Sequence, residues 1–110
     1  MEHSHKHSLK KDDWYSRQSL ESAAELFSAL SDPSRLRLMD YLSIGEACVT
    51  ELADYCKESQ SAVSHRLKLL RNARIVQRRR EGKHIYYSLT DEHILSLLQN
   101  ALVHVEEKSK

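Results

Sequence analysis

Apolar positions repeat every three or four residues over most of this chain, and one stretch departs from that period. In residues 14–30, Ala23, Leu26, Phe27 and Leu30 recur at helical spacing. "SDPSRLRLMDYL" then reads as a stop and a restart. Asp32 suits an N-cap and Pro33 a first helical turn, while Leu36, Leu38, Met39 and Leu42 supply a buried side. Gly45 is expected to break the chain, because glycine takes positive φ without strain. "TELADYC" predicts a short helix capped by Thr50, residues 57–59 a turn, and "SQSAVSHRLKLLRNA" a second helix capped by Ser59. Val63, Leu67 and Leu70 form its inward stripe. Two helices joined by so short a turn make a helix-turn-helix, spanning about 50–72.

"IVQRRREGKHIYYSL" breaks the helical period. Its β-branched and aromatic ends flank a polar centre with Gly82, which predicts a β-hairpin over about 75–89. A basic hairpin following a helix-turn-helix is a wing. Helical spacing returns over about 91–106 in "DEHILSLLQNALVHVE". The fold expected is therefore mainly α with a β-hairpin wing, an α+β winged helix-turn-helix in residues 14–110. Residues 1–13 form a His-rich N-terminal arm expected to be flexible.

A chain of 110 residues forms one domain with a modest core, and such domains often gain stability by oligomerising. Its 40% hydrophobic and 30% charged residues suit a folded globular protein. No apolar run is long enough to span a bilayer, so no membrane partner is expected. "MEHSHKHSLKKDD" has no apolar core of a secretory signal, which implies a cytoplasmic location. Cys48 and Cys56 are too few and too oddly spaced for a disulfide framework or a zinc knuckle, and are expected to be thiols.

Net charge is only +1, but its distribution is uneven. Residues 65–84 hold eight Lys/Arg against one acid, Glu81, whereas the rest holds nine basic and fifteen acidic residues. That is the footprint of a polyanion-binding face on an acidic body. In a helix-turn-helix the second helix enters the major groove of double-stranded DNA. Gln60, Ser61, Ser64 and His65 are short or forked hydrogen-bonding side chains suited to base edges. Lys68 and Arg71 fall further along and suit phosphates, as do Arg78, Arg79, Arg80 and Lys83 on the wing.

The last helix carries a second chemistry. His93 and His104 lie eleven residues apart, three turns plus about 20°, so they share a face about 16 Å apart along the axis. They cannot hold one metal ion, because imidazole nitrogens sit about 2 Å from zinc. Either neither is a ligand, or the helix pairs with an antiparallel copy of itself about a two-fold axis near Leu98 and Gln99. In that pairing His93 faces His104 of the second chain. Asp91 joins the first imidazole and Glu107, one turn beyond, joins the second. Each end of a homodimer would gather two imidazoles and two carboxylates, a tetrahedral zinc set. Leu95, Leu98, Leu102 and Val105 are expected to pack the seam.

These stretches together resemble the ArsR/SmtB family of metal-sensing winged-helix repressors. The resemblance rests on "ALSDPSRLRLMDYL", on "SQSAVSHRLKLLRNARIVQRRREGKHIYYSL" and on "DEHILSLLQNALVHVEE", and covers residues 20–107. The last stretch resembles the zinc-responsive branch, whose metal sites lie on the fifth helix. The resemblance implies a repressor whose apo dimer binds operator DNA, and whose metal-bound form lets go and derepresses genes for metal efflux or sequestration. By position, Asp91 and His93 with His104 and Glu107 of the other chain would be the ligands. The non-ligating nitrogen of the second histidine would bond the carbonyl of Arg74. The effector implied is Zn2+, with Co2+ as a surrogate. A second site type in the family uses the start of the third helix and the N-terminal arm. Here Cys48, Glu51, His3, His5 and His7 are its candidates, although Thr50 stands where a second cysteine would.

Three rival readings arise from the sequence, one of them a purely structural metal-bound dimer, which would not need the basic hairpin. A repressor of the same fold could sense oxidants or persulfides through Cys48 and Cys56. A zinc hydrolase would need a general base and an open coordination position. Neither a His-Glu-x-x-His motif nor a Gly-rich catalytic loop occurs, so an enzyme with an organic substrate is not expected.

Overall fold

The computed structural model of the chain describes residues 14–108. Five helices and one hairpin follow in the order α1 (Arg17–Leu30), α2 (Pro33–Leu42), α3 (Val49–Cys56), α4 (Gln60–Asn72), β1 (Val76–Glu81), β2 (His84–Leu89) and α5 (Glu92–Lys108). This is the winged helix-turn-helix expected from the pattern.

Local chemistry fixes the element ends. The Ser16 hydroxyl accepts from Ser19 N–H at 3.0 Å and starts α1. Asp32 accepts from Arg35 N–H at 3.1 Å, with Pro33 in the first turn of α2. Ser59 accepts from Ala62 N–H at 3.1 Å and starts α4. The short α3 begins earlier than Thr50, the residue expected to cap it. Cys48 is the N-cap, and the Glu51 carboxylate reaches back to accept its N–H at 3.0 Å. Thr50 is left as an exposed first-turn residue. Lys57 closes α3 in the left-handed region, at φ 58° and ψ 46°.

Gly45 does not take the positive φ expected of it. Among the described residues that conformation is confined to Lys57, Arg74 and Gly82. The chain leaves α2 instead through Ser43 N–H and Ile44 N–H bonding back to Met39 and Tyr41 carbonyls.

The core is one cluster. Leu38, Met39 and Leu42 of α2 meet Leu52 and Ala53 of α3 and the Val63, Leu67, Leu70 stripe of α4. Ile75, Val76 and Tyr87 close it from the hairpin, and Ile94 and Leu98 from the first half of α5. Leu98 is only 4% exposed and packs within its own chain rather than in the seam the sequence suggested. Beyond it every residue of α5 whose side chain is described lies exposed.

β1 and β2 pair antiparallel from Val76↔Leu89 to Glu81↔His84, with Gly82 at φ 64° in the turn. The loop entering α3 adds a third short rung. Ala47 N–H donates to Tyr87 O at 3.0 Å and Tyr87 N–H to Ala47 O at 2.8 Å. The wing is thereby attached to the helix-turn-helix at its base. No helix among the described residues is long and apolar enough to cross a membrane.

Candidate functional site

The buried stripe of α4 decides what its other sides offer. With Val63, Leu67 and Leu70 fully buried, Gln60, Ser61, Ser64, His65 and Lys68 stand exposed, as their spacing predicted. Arg66 is withdrawn from that face by a 2.7 Å ion pair with Glu58, inside the helix-turn-helix. Arg71 is half-buried, and its Nε has no hydrogen-bond partner among the described residues. On the wing Arg78, Arg80 and Lys83 are exposed, and none has an ion-pair partner among the described residues.

Arg79 behaves differently from its neighbours. Its Nε and Nη2 donate to the two carboxylate oxygens of Glu46 at 2.8 and 2.9 Å, and its Nη1 to Glu81 at 2.7 Å. Its guanidinium lies 4.9 Å from the centroid of the Tyr86 ring. The Arg79 side chain holds the Glu46 carboxyl below its ordinary range, chiefly through that hydrogen-bonded fork.

The end of α4 and the start of α5 share an open groove of about 530 Å³, lined by Arg71, Arg74, Gln77, Arg78, Thr90 and Asp91 among others. Arg74 ends the α4 region at φ 62°. Its carbonyl accepts from the Thr90 hydroxyl at 2.9 Å. Thr90 was invisible to the sequence pattern, because a Thr before a helix-capping Asp signals nothing about a carbonyl sixteen residues earlier.

On α5, Asp91 Oδ1 accepts from His93 N–H at 2.9 Å and from Ile94 N–H at 3.1 Å. The bond from Ile94 N–H does most to hold the Asp91 carboxyl below its ordinary range. That from His93 N–H adds to it, and partial desolvation opposes both. His93 Nδ1 lies 3.6 Å from the same oxygen, with the imidazole 95% exposed. His104 and Glu107 are exposed near the far end of the same unbroken helix. Within the described residues of a single chain no three metal-ligating side chains come together.

Cys48 is half-buried at the start of α3, where Glu51 is engaged in capping. His3, His5 and His7, the other candidates for a second site, lie outside the described residues. The thiol-switch reading finds no support. Cys48 and Cys56 sit at opposite ends of α3, about 12 Å apart along its axis at 1.5 Å per residue, beyond disulfide reach. Burial also pushes the Cys56 thiol up, away from the reactive thiolate.

Comparison with known proteins agrees with the winged helix-turn-helix fold. The family model "Bacterial regulatory protein, arsR family" matches residues 32–78. The transcriptional repressor SmtB homolog of Synechocystis is 52% identical over 84 residues, covering 76% of this chain and 64% of the relative. The chain therefore spans slightly less than two thirds of that relative's length. The cadmium resistance transcriptional regulatory protein CadC homolog of Staphylococcus aureus is 41% identical over 99 residues, covering 89% of this chain and 80% of the relative. Among solved structures, the homodimeric winged helix-turn-helix DNA-binding domain from Mycobacterium bovis superposes with a TM-score of 0.80 at 28% identity. The match covers 86% of this chain and 90% of that one.

Proposed function

This chain belongs to the arsR family of bacterial regulatory proteins, and from that membership we propose that it is a zinc-responsive transcriptional repressor. As a homodimer it binds operator DNA through α4 and the wing, and it lets go when metal engages α5. The coarser part, a metal-responsive repressor, accords with relatives named for repression and for cadmium resistance. A homodimeric neighbour of the same fold supports the dimer and the DNA-binding role. The exposed apolar side chains of α1 and α5, among them Leu20, Phe27, Leu102 and Val103, also support the dimer.

One observation carries the metal reading: His93, His104 and Glu107 ride on a single unbroken helix whose outer half is exposed. The donor set fits zinc. Two imidazoles and two carboxylates are borderline and hard ligands that suit a tetrahedral Zn2+. Asp91 commits one oxygen, Oδ1, to the helix start, which leaves Oδ2 for a metal ion. Asp91 and His93 of one chain with His104 and Glu107 of the other would hold the ion, and Co2+ would substitute. Bound there, the ion would fix the two α5 helices against one another. A second set from Cys48, Glu51, His3, His5 and His7 remains a subordinate proposal.

The chain's own residues then relay the state of α5 to DNA. The two recognition helices must reach major grooves about 34 Å apart. A ligand can favour only the dimer geometry it binds better. Thr90 and Arg74 join the start of α5 to the end of α4, so a shift of α5 is felt where DNA is held. Derepression follows from a coupling typically of about 1–3 kcal/mol between the two sites.

The test is a mobility-shift titration with Zn2+, Co2+, Ni2+ and Cd2+ on the wild type and on His104→Ala. Zinc should release the wild type at the lowest concentration, and the variant should keep DNA binding but lose release. Normal zinc release by His104→Ala would remove the assignment.

A further inference from the structure

We propose that Arg79 is a positioning residue that clamps the wing to the loop entering α3, and is not one of the groups that neutralise DNA phosphates. The inference rests on the DNA-binding reading above and divides the basic wing into two kinds of arginine.

The contacts around Arg79 leave little for a phosphate. Nε and Nη2 form a two-point fork on Glu46, and Nη1 is used by Glu81. Two carboxylates against one guanidinium leave the cluster with a negative charge, which repels a phosphate. A phosphate would have to displace a bidentate carboxylate, the geometry that suits a guanidinium best. Isolated surface ion pairs contribute little, but bidentate geometry within a network is the exception. Here two carboxylates and the Tyr86 ring act on one guanidinium.

The location gives the clamp its purpose. Glu46 is thirty-three residues from Arg79 and immediately precedes Ala47, the residue that bridges to Tyr87. The ion pair and the bridge thus fasten the same loop to the same hairpin, one through side chains and one through main chain. Along β1 side chains alternate in direction, so Arg79 shares a face with Tyr86, its cross-strand partner, while Arg78 and Arg80 point the other way. The clamp fixes where those two arginines stand relative to α4. Without it the base of the wing is still held by the two Ala47–Tyr87 hydrogen bonds and by Val76 and Tyr87 in the core, but the part beyond loses its side-chain tie to the loop and would swing.

Duplex DNA selected from a random-sequence pool supplies the probe, with the full chain and its variants. Arg78→Ala and Arg80→Ala should each reduce the slope of log affinity against log salt by about 1, the loss of one phosphate contact. Arg79→Ala should weaken binding about tenfold with the slope unchanged, Glu46→Ala should do the same, and the double variant should add nothing further. Arg79→Lys, which keeps the charge and loses the fork, should reproduce the loss, whereas a phosphate contact would tolerate it. The exchanged pair Arg79→Glu with Glu46→Arg should recover affinity lost in Arg79→Glu alone. Amide exchange at Ala47 and Tyr87 should quicken in Arg79→Ala and stay at the wild-type rate in Arg78→Ala.

A slope reduced by about 1 in Arg79→Ala, or tighter binding by Glu46→Ala, would overturn the proposal. If the wild type bound no duplex at all, the DNA-binding reading would fall. The exchange rates at Ala47 and Tyr87 would then still decide whether the clamp exists.

Discussion

The side-chain hydroxyl of Thr90 donates to the main-chain carbonyl of Arg74 at 2.9 Å, and the Thr90 N–H donates to Ile75 O at 3.0 Å. The residue before Asp91 is thus tied to the residue that turns the chain out of α4. Arg74 sits at φ 62°, a conformation that costs a non-glycine residue energy and needs neighbours to hold it. Thr90→Val keeps the shape and removes the hydroxyl. It should lower stability by about 1 kcal/mol, the net worth of one hydrogen bond, in urea unfolding. It should also narrow the ratio of DNA affinities without and with zinc. An unchanged unfolding midpoint would show that the bond holds nothing.

Most of the fold was legible because its signals are local. Ser59 before a helical run, Pro33 after Asp32, and the Val63, Leu67, Leu70 spacing each act within one or two turns. The exposure of Gln60, Ser64 and His65 followed from that stripe alone. What stayed hidden depends on contacts between distant segments. Arg79 reads as one more basic wing residue until Glu46, thirty-three positions away, is brought against it. Thr50 is a better capping side chain than Cys48, but the loop is pinned at Ala47 by Tyr87, and that fixes where α3 starts. Leu98 fits an apolar seam by spacing, yet the first half of α5 packs on its own domain and takes Leu98 with it.

Asp32 offers a pH signature of the α2 cap. The Ser34 hydroxyl, followed by Arg35 N–H, holds its carboxyl below the ordinary carboxylate range. A depressed folded-state value means that the contribution is fully present above the unfolded value, about 3.9, and is lost as pH falls through the folded one. Asp32→Asn should therefore be less stable than wild type at neutral pH, with the gap closing below about pH 4. Thermal unfolding of both proteins across that range checks it, and a gap that does not change with pH would point to shape rather than charge.

The recognition surface makes a sharper demand. Ser64 and His65 are exposed on α4 and belong to no part of the core. Ser64→Ala with His65→Ala should leave the fold, the dimer and salt-dependent binding to unrelated duplexes intact, because phosphate contacts position without reading sequence. Selective binding to a duplex enriched from a random pool should be lost, since each good base contact discriminates by about 1–3 kcal/mol. A footprint that survives both substitutions would place sequence reading elsewhere.

The proposed metal sensing and two-groove binding both rest on the dimer, and Leu102 tests it without touching a proposed metal ligand. Within the described residues of one chain Leu102 is 39% exposed and lies beyond Leu98, the last α5 residue in the core. The monomer therefore should not need it. In a two-fold interface the same residue is buried twice, and each leucine side chain removed from water contributes about 1.5–3 kcal/mol. Leu102→Glu replaces that gain with two carboxylates that must be desolvated near one another. The variant should keep its helical circular dichroism and sediment as a monomer at micromolar concentration. It should also bind the selected duplex more weakly, because its two recognition helices are no longer joined. If Leu102→Glu still sediments as the dimer, the outer half of α5 is not the seam, and His93 and His104 would have no partner chain to complete their coordination.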